Sequence, residues 1–218
     1  MLRTKLMAML SARHAYQRLQ YIESTGTQGI WLNTIIPDDN LETRITFQLT
    51  NLNFDWNGKR CVISKFEGNN KRYRPLIISN SKRFTVQNSN GTEIYSLPVD
   101  LKKHTIIYNG KNHLGSFDSN AFGSAIATSL TGHDDVPLAV FCQGQYSTAA
   151  GAVVLTPDTF VPVRIYELQF YNNKTNEKTG DFIPCLDRNE KPCLYDMVSR
   201  QAFYNSGTGE FLYGKVIT

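Results

Sequence analysis

Apolar and polar residues alternate with a period of two through most of the chain. The clearest example is Leu41–Leu49, where the alternation continues for nine residues, the pattern of a half-buried β-strand. A second β-rich stretch, 161–171, has an early proline, which is typical of a strand start or a sheet edge. Shorter strands are predicted between these two, at 61–66, 73–79, 83–87, 93–97, 104–108 and 137–141. Many short strands without a long internal helix predict a two-sheet β-sandwich.

Three connecting segments carry their own signals. The dipeptide Asn109-Gly110 tolerates positive φ at both residues and predicts a type I′ hairpin. Residues 187–190 predict the turn of another hairpin, because aspartate and asparagine favour turns. The stretch 144–157 is rich in small residues and predicts either a mobile surface loop or a contact loop.

The first 18 residues carry the only helical pattern. Their apolar side chains recur at helical spacing, at Leu2, Leu6, Met9 and Leu10. Because an isolated helix of this length is marginal in water, we expect it to dock on its own domain, on a sister copy or on a larger assembly. The sequence therefore predicts an N-terminal arm, 1–18, followed by a β domain, 19–218.

The arm also accounts for the net charge of +4. Four bases precede the first acid, Glu23, and these are Arg3, Lys5, Arg13 and Arg18. Without them the 23 bases fall to 19, equal to the 19 acids of the chain. A nucleic-acid-binding domain would carry a basic face on its folded body, so nucleic acid is not an expected partner. No apolar run approaches the ~20 residues of a membrane span, so none is expected.

The four cysteines lack the spacing of a metal site or a disulfide scaffold. Buried free thiols are therefore expected. Cys185 and Cys193 could face each other across the predicted hairpin at 187–190, which leaves one disulfide bridge as an alternative.

Two stretches carry recognisable motifs. They are LQYIESTGTQ at 19–28, and DFIPC at 181–185 with LYDMV at 194–198 and FYNSGTGEF at 203–211. Together they resemble the concanavalin A-like (laminin-G-like) jelly-roll domains of phage structural proteins and gut-bacterial surface proteins. The resemblance covers 19–214 and implies an all-β, two-sheet antiparallel jelly-roll sandwich.

Within the motifs, Tyr195 and Phe203 are expected to fill the sandwich interior, and Asp196 is expected to cap the turn that follows it. After the opening motif the chain departs from the family with Gly29-Ile30-Trp31-Leu32. The large apolar side chains there suggest either a partner surface or a different inner packing.

Catalysis is not expected. Enzymes of this fold that cleave β-glucans carry paired carboxylates on one strand, whereas the corresponding type of strand here has Glu167 alone. No Gly-x-Ser-x-Gly motif occurs, and the histidines show no pairing with a nucleophile in sequence. A lone strand histidine such as His104 is more often a satisfied structural residue.

Sugar binding is the remaining candidate activity, and it needs an aromatic platform with polar neighbours. Trp56, in an Asn-rich segment, and Tyr146 are the candidate glycan-binding residues. No cofactor is expected, although two acidic pairs are candidate calcium ligands, Asp38 with Asp39 and Asp134 with Asp135. Both pairs are also ordinary turn sequences.

Three function classes follow from the resemblance. The first is a non-enzymatic virion structural protein, a head decoration, head fibre or tail component, assembled in the host cytoplasm. Its partners would be other virion proteins, further copies of itself and host-surface glycans, with the assembly contact made through Leu2, Arg3, Leu6, Met9, Leu10 and Arg13. The alternatives are a carbohydrate-binding module of a bacterial surface protein and an inactive glycosidase-like domain. The lack of a signal-peptide pattern favours the first class over the second.

Overall fold

The computed structural model describes residues 16–32, 41–53, 58–66, 72–87, 91–123, 136–147, 152–156 and 159–217. Within these residues the chain forms β-strands and no α-helix. The strands are β1 (Gln17–Arg18), β2 (Ile22–Thr25), β3 (Ile30–Trp31), β4 (Leu41–Leu49), β5 (Arg60–Phe66), β6 (Arg72–Ser79), β7 (Arg83–Gln87), β8 (Glu93–Pro98), β9 (Lys103–Asn109), β10 (Gly115–Phe117), β11 (Asn120–Phe122), β12 (Ala139–Val140), β13 (Gln143–Ser147), β14 (Ala152–Thr156), β15 (Pro162–Asn172), β16 (Lys178–Leu186), β17 (Pro192–Asp196), β18 (Gln201–Phe203) and β19 (Leu212–Tyr213).

The strands form two large sheets. The larger sheet has 11 strands, with the order β11-β10-β9-β4-β15-β16-β17-β18, while β1 pairs with β16, and β2 with β15 and β19. The smaller sheet has eight strands, with the order β14-β13-β5-β6-β7-β8, while β12 pairs with β3 and β5. All pairings of named strands are antiparallel except the parallel pair β13 and β5. The chain is therefore an all-β, two-sheet antiparallel structure, as the alternation predicts.

The hydrophobic core lies between the two sheets. Strand β4 alternates between buried and half-buried residues along its whole length, so one face of the larger sheet is apolar. Phe47 of that face contacts Phe84 of the smaller sheet, with ring centroids 5.4 Å apart. A polar contact also crosses the core, between the hydroxyls of Thr43 and Tyr73, 2.6 Å apart.

Most predicted strands are confirmed, but the predicted loop is wrong for the described residues 144–147 and 152–156. Strands β13 and β14 pair in this region, with Gly144 opposite Leu155. A Cβ atom at Gly144 would lie 2.4 Å from the ring of Trp31. The small residue therefore permits close packing within a strand, rather than the flexibility that its composition suggests.

The predicted type I′ turn at Asn109-Gly110 is also wrong. Neither residue has a positive φ; the left-handed residue of this hairpin is His113, with φ 55°. Asn109 ends β9, and its side-chain Oδ1 accepts a hydrogen bond from the Lys111 amide at 3.1 Å. The Gly110 amide donates to Leu41 O at 3.0 Å, so this glycine is tied to the neighbouring strand. The hairpin predicted at 187–190 is confirmed, with Glu190 at φ 58°.

The residues of the closing motif have mixed outcomes. Phe203 is buried in the core, as predicted, and contacts Phe182. Tyr195 is not in the interior: it is half-buried, and its ring packs at a tilt against that of Tyr16, with ring centroids 4.3 Å apart. The prediction for Tyr195 is wrong because its two strand neighbours point inward, and the pleat turns it outward.

Asp196 caps the turn after β17, as predicted. Its Oδ1 accepts hydrogen bonds from the amides of Asp181 and Val198, at 2.8 and 3.1 Å. Its Oδ2 accepts a hydrogen bond from the Ser199 amide at 3.0 Å. This carboxylate therefore fixes both the turn and its junction with β16.

The departure after the opening motif produces a different inner packing. Ile30 and Leu32 are fully buried, and Trp31 is half-buried against Gly144. The large apolar side chains of this segment thus fill the interior of this chain.

Candidate functional site

The candidate site residues from the sequence fall almost entirely outside the described residues. Trp56, Asp38, Asp39, Asp134, Asp135 and the apolar and basic residues of the arm, Leu2, Arg3, Leu6, Met9, Leu10 and Arg13, all lie there. Tyr146 lies on β13, where its backbone pairs with Val153. The calcium, glycan and arm assignments therefore stay predictions. Within the described part of the chain, no three His, Cys, Asp or Glu side chains are grouped as metal ligands.

The outer face of the larger sheet carries a network of tyrosines and cations. The Lys103 ammonium lies 3.9 Å from the centroid of the Tyr166 ring, and the Arg164 guanidinium lies 4.4 Å from that of Tyr21. Arg164 also forms an ion pair with Glu23 at 2.6 Å. Partial burial raises the pKa of the Tyr166 phenol. The phenol donates a hydrogen bond to Gln48 Oε1 at 2.6 Å.

A second tyrosine on this face has the same kind of partner. Tyr171 carries the Arg44 guanidinium 4.2 Å from its ring centroid, with Lys178 at 5.7 Å on the neighbouring strand. Each of these rings thus has a cation over one of its faces. These cation–π contacts and hydrogen bonds stabilise the outer surface of the larger sheet.

Glu167 has a second carboxylate beside it that sequence reasoning missed. The Gln169 amide nitrogen donates to Glu167 Oε1 at 2.7 Å and to Asp181 Oδ1 at 3.2 Å. The two acids lie on β15 and β16, 14 positions apart in the chain, so no motif on a single strand could reveal the pair. The pairing of the two strands brings them together, because it places Gln169 opposite Asp181.

Hydrogen bonds hold this pair in place. Gln169 donates to both carboxyl groups, and Lys178 donates to Asp181 Oδ2 at 3.0 Å. These contacts link β15 and β16 through their side chains.

A buried polar network lies within the smaller sheet. Arg74 donates to Gln87 Oε1 at 3.2 Å and to the side-chain oxygen of Gln143. Gln143 in turn donates to Gln145 at 3.0 Å. These bonds join β7, β6 and β13 through side chains, and Arg74, Gln87 and Gln143 are all buried. Buried side-chain hydrogen bonds of this kind fix the relative positions of strands, although the Nε atom of Arg74 has no hydrogen-bond partner among the described residues.

His104 is a satisfied structural residue, as the sequence predicts. Its Nε2 lies 2.7 Å from Asp100 Oδ1, and its Nδ1 lies 2.5 Å from Asp118 Oδ2. Its ring is buried against Phe84 and Phe117. The histidine therefore ties the β8–β9 connection to the β10–β11 turn and has no nucleophile as a partner.

All four cysteines are buried and have free thiols. Cys185 and Cys193 lie opposite each other on β16 and β17, so the sequence-based pairing of positions is right, although no disulfide joins them. Burial raises the pKa of Cys185 to about 11 and that of Cys193 to about 12. Thiols with such pKa values are poor nucleophiles at neutral pH.

A cleft lies beside the β16–β17 hairpin. It has a volume of about 370 Å³ and is lined by Tyr16, Asp187, Arg188, Asn189 and Tyr204. We call it the hairpin cleft. It brings two aromatic side chains together with charged and amide groups, the combination that a small polar ligand requires. Sequence reasoning missed it because Tyr16 and Tyr204 are far apart in the chain, and because 187–190 carries a turn signal only.

None of the described residues forms a helix long and apolar enough to cross a membrane. No protein-family model matches the chain, and no curated protein matches it either.

Proposed function

We propose that this chain is a non-enzymatic structural protein of a phage particle, built on a concanavalin A-like jelly roll and anchored through its N-terminal arm. It would be a head decoration, a head fibre or a tail component, with other virion proteins and further copies of itself as partners. Host-surface glycans are a further proposed ligand.

The observation that carries the jelly-roll assignment is the contact between the two motifs. Thr27, in the opening motif, exchanges hydrogen bonds with Thr208, in the closing motif, at 3.0 Å in each direction. A Cβ atom at Gly207 would lie 2.3 Å from Thr27 O, so the closing motif needs a glycine at this contact. The residues that carry the family resemblance therefore contact each other in the folded chain. This contact supports the proposal that the resemblance extends to the fold.

The anchoring role is supported by the way the N-terminal strand is paired. Leu19 N donates to Pro184 O on one side, and Gln20 N donates to Lys215 O on the other, at 2.8 and 2.9 Å. From Gln17 onward the chain is thus an integral part of the larger sheet. The pairing of this strand is thus complete within the described residues, and the proposal assigns the apolar stripe of the arm to another chain.

The non-enzymatic assignment is supported by the acidic residues of β15. Enzymes of this fold that cleave β-glucans carry paired carboxylates on one strand, whereas Glu167 is the only acid on this strand.

Deletion of residues 1–15 tests the anchoring role. We expect the truncated protein to keep its β-sheet circular dichroism and its unfolding midpoint, but to lose incorporation into particles. A matched control is Leu212→Ser, which removes an apolar side chain that is 54% exposed on the β domain. Incorporation of the truncated protein at the level of the full chain would contradict the anchoring role.

The glycan role has its own test. The wild type and Trp56→Ala would be displayed in many copies and applied to a glycan array, because avidity raises weak affinities by roughly 10²-fold or more. Binding that is lost in Trp56→Ala would support the sequence prediction for this residue. No binding by the wild type would contradict the glycan role and leave the architectural role standing.

A further inference from the structure

The hairpin cleft has a rigid wall, because Asp187 organises the β16–β17 turn. Its Oδ1 accepts hydrogen bonds from the amides of Asn189 and Lys191, at 2.8 and 2.9 Å. Its Oδ2 accepts a hydrogen bond from the Tyr204 phenol at 3.0 Å. The amide hydrogen bonds, led by that of Lys191, hold the pKa of Asp187 below its ordinary value. Asp187 therefore stays a carboxylate that fixes the hairpin and the Tyr204 side chain together.

The aromatic side chains of the cleft are held in place from outside it. The Tyr16 ring packs at a tilt against Tyr195, with ring centroids 4.3 Å apart, and the Lys191 ammonium lies 5.1 Å from the centroid of the Tyr204 ring. Partial burial and the bond to Asp187 raise the pKa of the Tyr204 phenol. This phenol therefore stays protonated, and its oxygen lone pairs remain able to accept a hydrogen bond from a ligand hydroxyl.

The polar groups at the hairpin tip are free to bind. Arg188 and Asn189 are exposed, and no other described side chain forms a hydrogen bond or an ion pair with either side chain. Asp187 is already engaged by three donors, so its charge does not need Arg188 as a partner. The guanidinium is then available for a carboxylate of a ligand, which it binds through two parallel hydrogen bonds.

We propose that the hairpin cleft binds an acidic saccharide. The sugar ring would pack against Tyr16 and Tyr204, its carboxylate would pair with Arg188, and its hydroxyls would bond to Asn189 and the Tyr204 oxygen. A cleft of about 370 Å³ lies at the small end of ligand sites and holds one or two sugar residues. This inference rests on the proposed glycan role and names its ligand class and its site.

The test is an NMR titration of the full ¹⁵N-labelled chain with N-acetylneuraminic acid and glucuronic acid, compared with the neutral sugars glucose and N-acetylglucosamine. We expect saturable shifts of the Asn189 and Lys191 amides with the acids, and at least several-fold weaker binding of the neutral sugars. Arg188→Gln should raise the Kd for the acids roughly tenfold, because it removes a charge-assisted contact. Equal shifts with acidic and neutral sugars would overturn the assignment of an acidic ligand.

Two matched variants complete the experiment. Lys111→Gln removes one exposed positive charge from the β9–β10 hairpin and should leave the Kd unchanged. An equal loss of affinity in Lys111→Gln and Arg188→Gln would overturn the proposed binding in the cleft, because it would show that the acidic sugars are attracted by net charge alone. Shifts confined to residues outside the cleft would overturn the site but keep the glycan role. If none of these sugars shifts any amide, the proposal that the cleft binds a saccharide is overturned. Particle incorporation through the arm is measured separately, so this result would not affect the proposed structural role.

Discussion

Replacement of Asp196 by asparagine should destabilise the domain by about 3 kcal/mol. The side chain is only 3% exposed, and its carboxylate accepts three backbone hydrogen bonds, from Asp181, Val198 and Ser199. Hydrogen bonds to a charged group contribute about 1.5–3 kcal/mol each, against about 0.5–1.5 kcal/mol for neutral pairs. The asparagine side chain of the variant would keep two weakened bonds and would present an NH₂ group to the Ser199 amide. At this chain length the change lowers the Tm by roughly 6–12 °C.

The pH dependence gives the decisive measurement. Burial opposes ionisation of Asp196, but its hydrogen bonds outweigh burial and lower its pKa from the ordinary value of 3.8. The stability that it contributes is therefore fully present above pH 3.8 and is lost as pH falls through the lower, folded pKa. Urea unfolding of the wild type and Asp196→Asn should show a gap that is constant from about pH 7 to pH 5 and shrinks towards about pH 2.5. The control is Asp181→Asn, because the Asp181 side chain is 23% exposed and its ion pair with Lys178 lies near the surface; the expected loss of stability is below about 1 kcal/mol. A gap that persists unchanged at about pH 2.5, or one below about 0.5 kcal/mol at pH 7, would refute this reasoning.

Four further outcomes are expected. Burial raises the pKa of Cys185 to about 11 and that of Cys193 to about 12, so the native protein should react slowly with a thiol reagent at pH 8. All four thiols should react in urea, and fast labelling of the folded chain would contradict their burial. His104→Leu should cost about 1–3 kcal/mol in urea unfolding, since two carboxylates lose their shared partner. Gly144→Ala should cost about 1–3 kcal/mol, because the new Cβ meets the Trp31 ring; an unchanged midpoint would show that the ring can move away. The pure protein should release no reducing sugar from β-glucans, and release that is abolished by Glu167→Gln would contradict the non-enzymatic proposal.

The local alternation of residues was sufficient to predict most of the strands. Leu41–Leu49 has the predicted bounds, because one face of β4 is buried and the other is half-buried throughout. The cap at Asp196 was also predictable, since a short acidic side chain at the end of a strand can accept bonds from the amides of the following turn.

What failed depends on contacts between distant residues. Gly144 indicated a loop by composition, but it is a strand residue that makes room for Trp31. Asn109-Gly110 indicated a tight turn, but Gly110 donates to Leu41, on another strand. The hairpin cleft could not be predicted for the same reason. Tyr16 and Tyr204 both line it, but they are far apart in the sequence and only the fold brings them together.

The most direct test of the central claim is quantitative mass spectrometry of gradient-purified particles produced from the genome that encodes this chain. The proposal predicts that the chain co-purifies with the particles at a fixed copy number per particle, and that deletion of residues 1–15 removes it from them. Particles that lack the full-length chain, while the soluble fraction contains it, would contradict the proposal that it is a virion structural protein.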